Sequence, residues 1–509
     1  MSTHNRPPIE VRNAASAASI IRLPAAARWV DWKRLVPMLV GVALFCLVYF
    51  CPWFSDAVDP RGEKSPLSRQ GQAALALFLW ATTWWVFEVI PIGVTGITIG
   101  ALQVLLLIRP ARAAFGDFMD PAIWFIIASI TLGMAFSRTG LTNRLAYGML
   151  AAVGERTSMI YLGSFLITGG LTLIMAHTAV AATMYPLLMS VYALYAEDDQ
   201  PTRFGKGLFI GMAFAASAGS IITLLGSARA AVAMGFLKGM VRHEVSFFEL
   251  PYYMLPLGGT MLLLIWAICL IFFKPEKKTI PGLSQRARML YKKLGPMAPN
   301  EILTLVIVFL AIAAMSLRSL LAVLEPLDKS AILLAATILL FVLRILTIKE
   351  LEDIPWNIAL LFGGAMSIGF CLWETGAAKW LAIKWLSLFQ HVPWVVFVLA
   401  VAFFVLIISN FIVNIAAIAI ALPVALVIAP YLGVTPEVVF FSCLVTAGMP
   451  FLLPIGSAPN AIAYESKQFS AQTFLLAGIP ASILLMIVLW LFVWLIWPLM
   501  GMPVLLSPV

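Results

Sequence analysis

Two short runs inside apolar sequence carry residues that a plain buried helix has no use for: Gly226-Ser227-Ala228-Arg229-Ala230 and Gly456-Ser457-Ala458-Pro459-Asn460. Glycine loosens a helix, and Pro459 has no N–H to give to the ladder. In apolar surroundings the freed N–H and C=O groups must find partners or line a cavity. The chemistry of such a break is anion binding, because the half-helix beyond it starts with unpaired N–H groups and the positive end of its dipole. Two further apolar stretches are bent by polar residues, His177 and Thr178 in one, Asn410 and Asn414 in the other. Brought together, these points form one small site for a negatively charged molecule with several acceptor oxygens. The substrate-binding candidates are therefore His177, Thr178, Ser227, Arg229, Asn414, Ser457, Pro459 and Asn460.

Other chemistries lack their residues. There is no HExxH pair, no GxSxG and no Cys/His cluster, so the chain reads as a non-enzyme without an organic cofactor. A channel would carry rings of like charge or a filter. Cys46, Cys51, Cys269, Cys371 and Cys443 fall in or beside apolar runs and read as small buried hydrophobes. Glu88, just before Pro91, reads as a helix-end residue. His4, His243 and His391 fall in tails or loops, and Trp53, Trp84, Trp85 and Trp497 near segment ends, as in an interfacial belt.

The elements that must position the site are membrane helices. Of 509 residues, 62% are apolar and 11% charged, against about 45–50% and roughly 25% in soluble chains. Mean hydropathy is +0.99. This excludes a cytosolic enzyme, a disulfide scaffold and a nucleic-acid reader, and it sets the net charge of +9 at segment ends. Apolar runs near 36–54, 71–88, 90–108, 121–137, 205–240, 251–273, 300–324, 329–347, 355–372, 436–466 and 472–500 give eleven spans. The bent stretches, about 158–194 and 393–431, read as re-entrant hairpins. Residues 1–35 form a basic tail (Arg6, Arg12, Arg22, Arg28, Lys33, Arg34), 36–69 the first helix and an external loop. The 274–298 linker carries seven basic residues, Lys274 to Lys293, against Glu276 alone, which places it and the amino end in the cytoplasm. Arg109 and Arg112 fall outside and run against that orientation. The protein is expected in the inner (plasma) membrane, with the 501–509 tail external.

The chain also repeats itself. AHTAVAATMYP (176–186) answers VNIAAIAIALP (413–423), and GSARAAVA (226–233) answers GSAPNAIA (456–463). Gly133, Thr139, Gly140, Leu145 and Ala146 return as Gly369, Thr375, Gly376, Leu381 and Ala382. The first repeat takes 70–273 and the second 299–500. An odd number of spans between matched landmarks makes the repeat inverted. The fold class is thus an all-α polytopic membrane protein with an inverted repeat and broken helices, the mark of secondary transporters.

These motifs carry a resemblance. From about 70 to 500, with WWVFEVIPIGVTGITIGAL (84–102), GGAMSIG (363–369), the hairpin tips and LLPIGSAPNAIAY (452–464), the chain resembles the divalent-anion/sodium symporters, carriers of succinate, malate, citrate and sulfate. The resemblance implies a homodimer whose transport part slides against a scaffold part, as an elevator does. It also implies Ser-Asn-Thr tips and a loop of Gly/Ala-Thr/Ser-Pro-Pro type at each break. Here the tips are Ala176-His177-Thr178 and Val413-Asn414-Ile415, and Arg229-Ala230 stands where Pro-Asn is expected. A hard cation wants several oxygens, so the sodium positions are thinned. Gly226, Asn414 and Gly456 are the candidates that remain. The reading is a secondary transporter of small divalent organic anions, by exchange with weak or no sodium dependence. Sodium or proton coupling, and an inorganic or sulfonate anion, stay open.

Overall fold

The computed structural model describes residues 32–506, apart from 52–53, 59–63, 197–199, 243, 319–320, 322, 325 and 390–391. His4, His243, His391, Trp53 and the tail arginines Arg6, Arg12, Arg22 and Arg28 lie outside the described residues. Apart from one short antiparallel pair, Ala57–Val58 with Lys64–Ser65, the described elements are helical.

The first half opens with α1 (Trp32–Tyr49), α2 (Arg69–Val86), α3 (Ile92–Leu105) and the short α4 (Ala111–Gly116). Then come α5 (Pro121–Thr139), α6 (Leu141–Val153), the hairpin arms α7 (Thr157–Leu171) and α8 (His177–Tyr195), α9 (Arg203–Gly219) and the half-helix α10 (Ala228–Phe236). A π turn, Leu237–Val241, extends α10, and α11 (Glu249–Phe272) closes the half. After the linker helix α12 (Leu283–Lys293), the order repeats: α13 (Pro299–Arg318), α14 (Lys329–Val342), α15 (Ile348–Glu352), α16 (Trp356–Glu374) and α17 (Ala377–Phe389). The second hairpin is α18 (Trp394–Ser409) with α19 (Asn414–Ile428), followed by α20 (Pro436–Gly448), α21 (Ala458–Tyr464) and α22 (Ala471–Leu491).

The correspondence extends to lengths: α3 and α14 have 14 residues each, α5 and α16 have 19, α6 and α17 have 13. The turns match too. Gly140 (φ 86) and Gly376 (φ 77) each use the left-handed region to swing a long helix into a short amphipathic one. Among the described residues, seven helices are long and apolar enough to cross a membrane, and six shorter apolar ones accompany them. Both hairpins are present at the expected places, and the runs 205–240 and 436–466 are broken at the marked glycine-serine sites. Apolar runs did not expose α6, α12 and α17; α6 packs on α12, and α17 on α19.

The two halves exchange packing. In one direction α3 packs on α16, and in the other α14 packs on α5. The first crossing is close: a Cβ on Gly364 would stand 2.3 Å from Gly96 Cα. Asn357 Oδ1 accepts from Gly93 N at 2.9 Å there, while Ser330 Oγ donates to Pro121 O at 2.6 Å in the other.

Two sequence readings need correction. Cys46 is exposed on α1, although Cys269, Cys371 and Cys443 are buried and all five are free thiols. Trp85 and Trp497 are core residues, not belt residues; their indole N–H groups donate to Ile92 O and Tyr253 O. Arg109, which runs against the charge rule, is buried between Asp117 (2.6 Å) and Glu374 (2.8 Å). Glu88 lies just past α2 at φ 45, in keeping with a helix-end role.

Candidate functional site

Each repeat fastens its hairpin to its own break. In the first, His177 N donates to Gly226 O at 3.2 Å, and a ring nitrogen, Nδ1, stands 3.3 Å from the same oxygen. Thr223 Oγ1 donates to Leu173 O and accepts from Gly226 N. A side chain has no room at Gly226, where a Cβ would meet Thr172 O at 2.2 Å. In the second repeat the same task falls to Asn410. Its Oδ1 accepts from Leu452 N (2.8 Å) and Leu453 N (3.3 Å), and its Nδ2 donates to Leu406 O. Asn460 Nδ2 then donates to Pro450 O and Leu453 O, bracing the loop that precedes α21.

The four segments starting at His177, Ala228, Asn414 and Ala458 form a circuit. Within each repeat the fastening just described joins hairpin to break. Between repeats α10 packs on α19, and α21 packs on α8. Three of the helices, with 19, 9 and 15 residues, are long enough to present a dipole, whereas α21 has only 7 and offers side chains instead.

Those side chains are conspicuously unpaired. Ser227 Oγ, Asn414 Oδ1, Ser457 Oγ, Asn460 Oδ1 and Arg229 Nε are all shielded from solvent and make no hydrogen bond among the described residues. A buried polar group without a partner costs about 1–3 kcal/mol, so these five atoms make the circuit the candidate site. Arg229 is 2% exposed. Its Nη2 donates to Ser220 Oγ at 2.7 Å, and its guanidinium lies against Gly448 at the end of α20, reaching from the first repeat to the second. Among the described residues no carboxylate pairs with it.

Seven of the eight sequence candidates thus take part. Ser227, Arg229, Asn414, Ser457 and Asn460 supply the unpaired atoms, His177 holds the hairpin to the break, and Pro459 is buried in the first turn of α21. Thr178 differs: it is exposed on the first turn of α8 and has no place in the buried set. Sequence reasoning missed Ser220, Thr223 and Gly448, which are unremarkable until folding sets them beside Arg229 and the tip. The sodium candidates separate as well. Gly226 O accepts from His177 N–H, whereas Asn414 Oδ1 makes no hydrogen bond among the described residues. Among the described residues no three His, Cys, Asp or Glu side chains gather as metal ligands would.

Residues 32–503 match the family model of the sodium:sulfate symporter transmembrane region. The chain belongs to the sodium:sulfate symporter family. Its relatives in that family include the sodium-dependent dicarboxylate transporter SdcS of Staphylococcus saprophyticus, 26% identical over 494 residues and covering 92% of this chain and 93% of the relative. The SdcS protein of Staphylococcus aureus is also 26% identical, over 492 residues and 91% of each chain. Among solved structures, MtrF of Neisseria gonorrhoeae, described among antimetabolite efflux pumps, aligns over 95% of this chain and 98% of its own, with TM-score 0.57 and 14% identity. The YdaH transporter of Alcanivorax borkumensis aligns over 93% and 98%, with TM-score 0.51 and 14% identity. The symporter family therefore rests on sequence, and the helical membrane-transporter fold on both.

Proposed function

We propose that the chain is a secondary carrier of small divalent organic anions, such as C4-dicarboxylates, 2-oxoglutarate or citrate-like molecules. It moves its site across the plasma membrane by an elevator motion, as a homodimer, and exchanges one anion for another with weak or no sodium dependence. The observation that carries this reading is the circuit of unpaired polar atoms, Ser227, Asn414, Ser457, Asn460 and Arg229, assembled from both repeats at two helix breaks. Two carboxylates offer the acceptors that the Ser227 and Ser457 hydroxyls, Arg229 Nε and the half-helix starts lack, whereas Asn414 Oδ1 and Asn460 Oδ1 are themselves acceptors and call for a donor or a cation. The names of the SdcS relatives support the substrate class.

Exchange is supported by Arg229. A guanidinium keeps its proton in a protein, and a charge near the bilayer centre costs at least about 2.5–3.5 kcal/mol unless paired. A dianion supplies the missing partner. The empty site would cross with its charge uncompensated, so return is fast only with a second anion aboard. Elevator motion is what the family resemblance implies, with a transport part that slides against a scaffold part.

Sodium symport is the second reading. The relatives' names favour it, as do the unpaired oxygens of Asn414, Ser457 and Asn460 in the second repeat. One experiment separates the two: uptake of labelled succinate into proteoliposomes with and without internal dicarboxylate, at zero and high sodium. The exchanger requires internal anion and ignores sodium. Strong uptake into empty vesicles under a sodium gradient would sink it, and dependence on a proton gradient that His177→Ala abolishes would favour proton coupling instead.

A further inference from the structure

Away from the substrate circuit, a cavity of about 290 Å³ runs behind the first break. Leu224 and Ala231 line one end, Met234 follows, and Lys238, Glu244 and Lys329 stand at the other. The wall on the α10 side is smooth. Ala231, Gly235 and Gly239 recur every four residues, so they share one face. Two of them lie directly on α16: a Cβ on Gly235 would stand 2.5 Å from Met366 Cε, and one on Gly239 2.6 Å from Phe370 Cε1. Ala122 of α5 completes the contact at 3.8 Å from that same Gly235 position. No hydrogen bond between side chains holds this face to α16 among the described residues.

The end of the seam is the opposite in character. Glu244, in the connector between the π turn and α11, is shared by three cations. Its Oε1 lies 3.1 Å from Lys329 Nζ and 3.2 Å from Arg318 Nη1, and its Oε2 lies 3.3 Å from Lys238 Nζ. Lys238 also reaches Asp328 at 3.9 Å, and Lys329 Nζ donates to Val245 O at 2.6 Å. Arg318 ends α13, while Asp328 and Lys329 begin α14. The cluster therefore ties the segment carrying the first break to two helices of the second half, α13 and α14. Burial alone would raise the Glu244 pKa, but Lys329, Lys238 and Arg318 together hold it down to about 2. The carboxylate thus stays ionised at any ordinary pH.

We propose that the small-residue face of α10 is the sliding seam of the carrier, and that the Glu244 cluster is the lock that holds the seam in the position seen here. The inference rests on the carrier reading above. A seam of Cα–side-chain contacts can shift with little loss, because apolar contacts are replaced as it moves. Glu244 cannot shift by degrees, since leaving its place breaks its ion pairs to Lys329 and Arg318 together, and the pair from Lys238 to Asp328 with them. Glu244 and Lys329 are positioning residues: they touch no substrate and set which position the site occupies.

The test reads position without transport. Met234→Cys, in full-length protein with Cys46→Ala and Cys51→Ala to remove the accessible thiols, is labelled in proteoliposomes with a membrane-impermeant maleimide. Adding Glu244→Gln releases the lock, and labelling slows about fivefold or more, the usual size of a coupling between two conformations. Lys329→Gln, which removes the same bond from the α14 side, gives the same slowing. Melting curves of both variants establish that they remain folded. Unchanged labelling in two folded variants would reduce the cluster to a surface tie, and faster labelling would make it a plug over the cavity; either overturns the lock. Absence of succinate counterflow in the unmodified protein would count against the carrier reading alone.

Discussion

At the scale of single residues, chemistry here depends on which polar atoms folding leaves without partners. Ser457 Oγ and Ser227 Oγ are such atoms, each at the residue just before a half-helix. A hydrogen bond to a charged acceptor contributes about 1.5–3 kcal/mol, and about 1.4 kcal/mol is tenfold in affinity. Ser457→Ala should therefore weaken succinate binding roughly tenfold or more, read from counterflow or from ligand-induced thermal stabilisation. Unaltered affinity in both Ser457→Ala and Ser227→Ala would put the site elsewhere. Arg229 behaves differently. It has one side-chain partner, Ser220, and no acid, so Arg229→Met removes an uncompensated charge. The apo variant should melt at the same temperature as the parent or higher, yet gain no stability from succinate. A large drop in the apo melting temperature would mean that the guanidinium is structural.

At the scale of elements, two polar residues fasten what the backbone leaves open. Asn410 satisfies Leu452 N and Leu453 N at once, joining the second hairpin to the second break. Asn410→Ala leaves two part-buried donors unpaired, at up to about 1–3 kcal/mol each. The expected result is a clear fall in thermal stability together with loss of succinate-induced stabilisation. A variant with normal melting would deny the fastening role. On the linker, Glu276 accepts from Tyr195 OH (2.7 Å), Arg203 N (2.5 Å) and Phe204 N (3.3 Å), tying α8 and the start of α9 to the exit of α11. Burial would raise its pKa, but these donors outweigh burial and lower it. A depressed carboxyl contributes stability above its unfolded value of about 4.3 and loses it as pH falls toward the folded value. The melting temperature should decline below about pH 4 in the parent and less steeply in Glu276→Gln; parallel curves would remove Glu276 from the account.

At the scale of the whole molecule, matched helices and reciprocal packing make the two halves partners rather than neighbours. If the second half enters the membrane from the opposite side, the amino end and the 274–298 linker are cytoplasmic and the carboxyl end is external. A reporter joined after Val509 should then be active only outside the cell, and a cytoplasmic signal would refute the inverted arrangement.

The sequence by itself determined the helical membrane class, the repeat, both hairpins and both breaks. Each of these follows from local causes: runs of apolar residues, glycine and proline where a ladder must open, and a pattern of small and polar residues occurring twice. It also named Ser227, Arg229, Asn414, Ser457 and Asn460, because a polar residue in an apolar run is visible without a fold. The sequence could not say which of those would remain unpaired. Asn410 and Asn414 look alike on paper, yet one binds two backbone N–H groups and the other keeps a free oxygen. Nor could it tell that Thr178 would be exposed, that Arg229 would rest on Gly448, or that Trp497 would be core. Tertiary structure decided these points, because burial and hydrogen-bond partnership depend on residues distant in the chain: Leu452 and Leu453 for Asn410, Gly448 for Arg229, Tyr253 for Trp497.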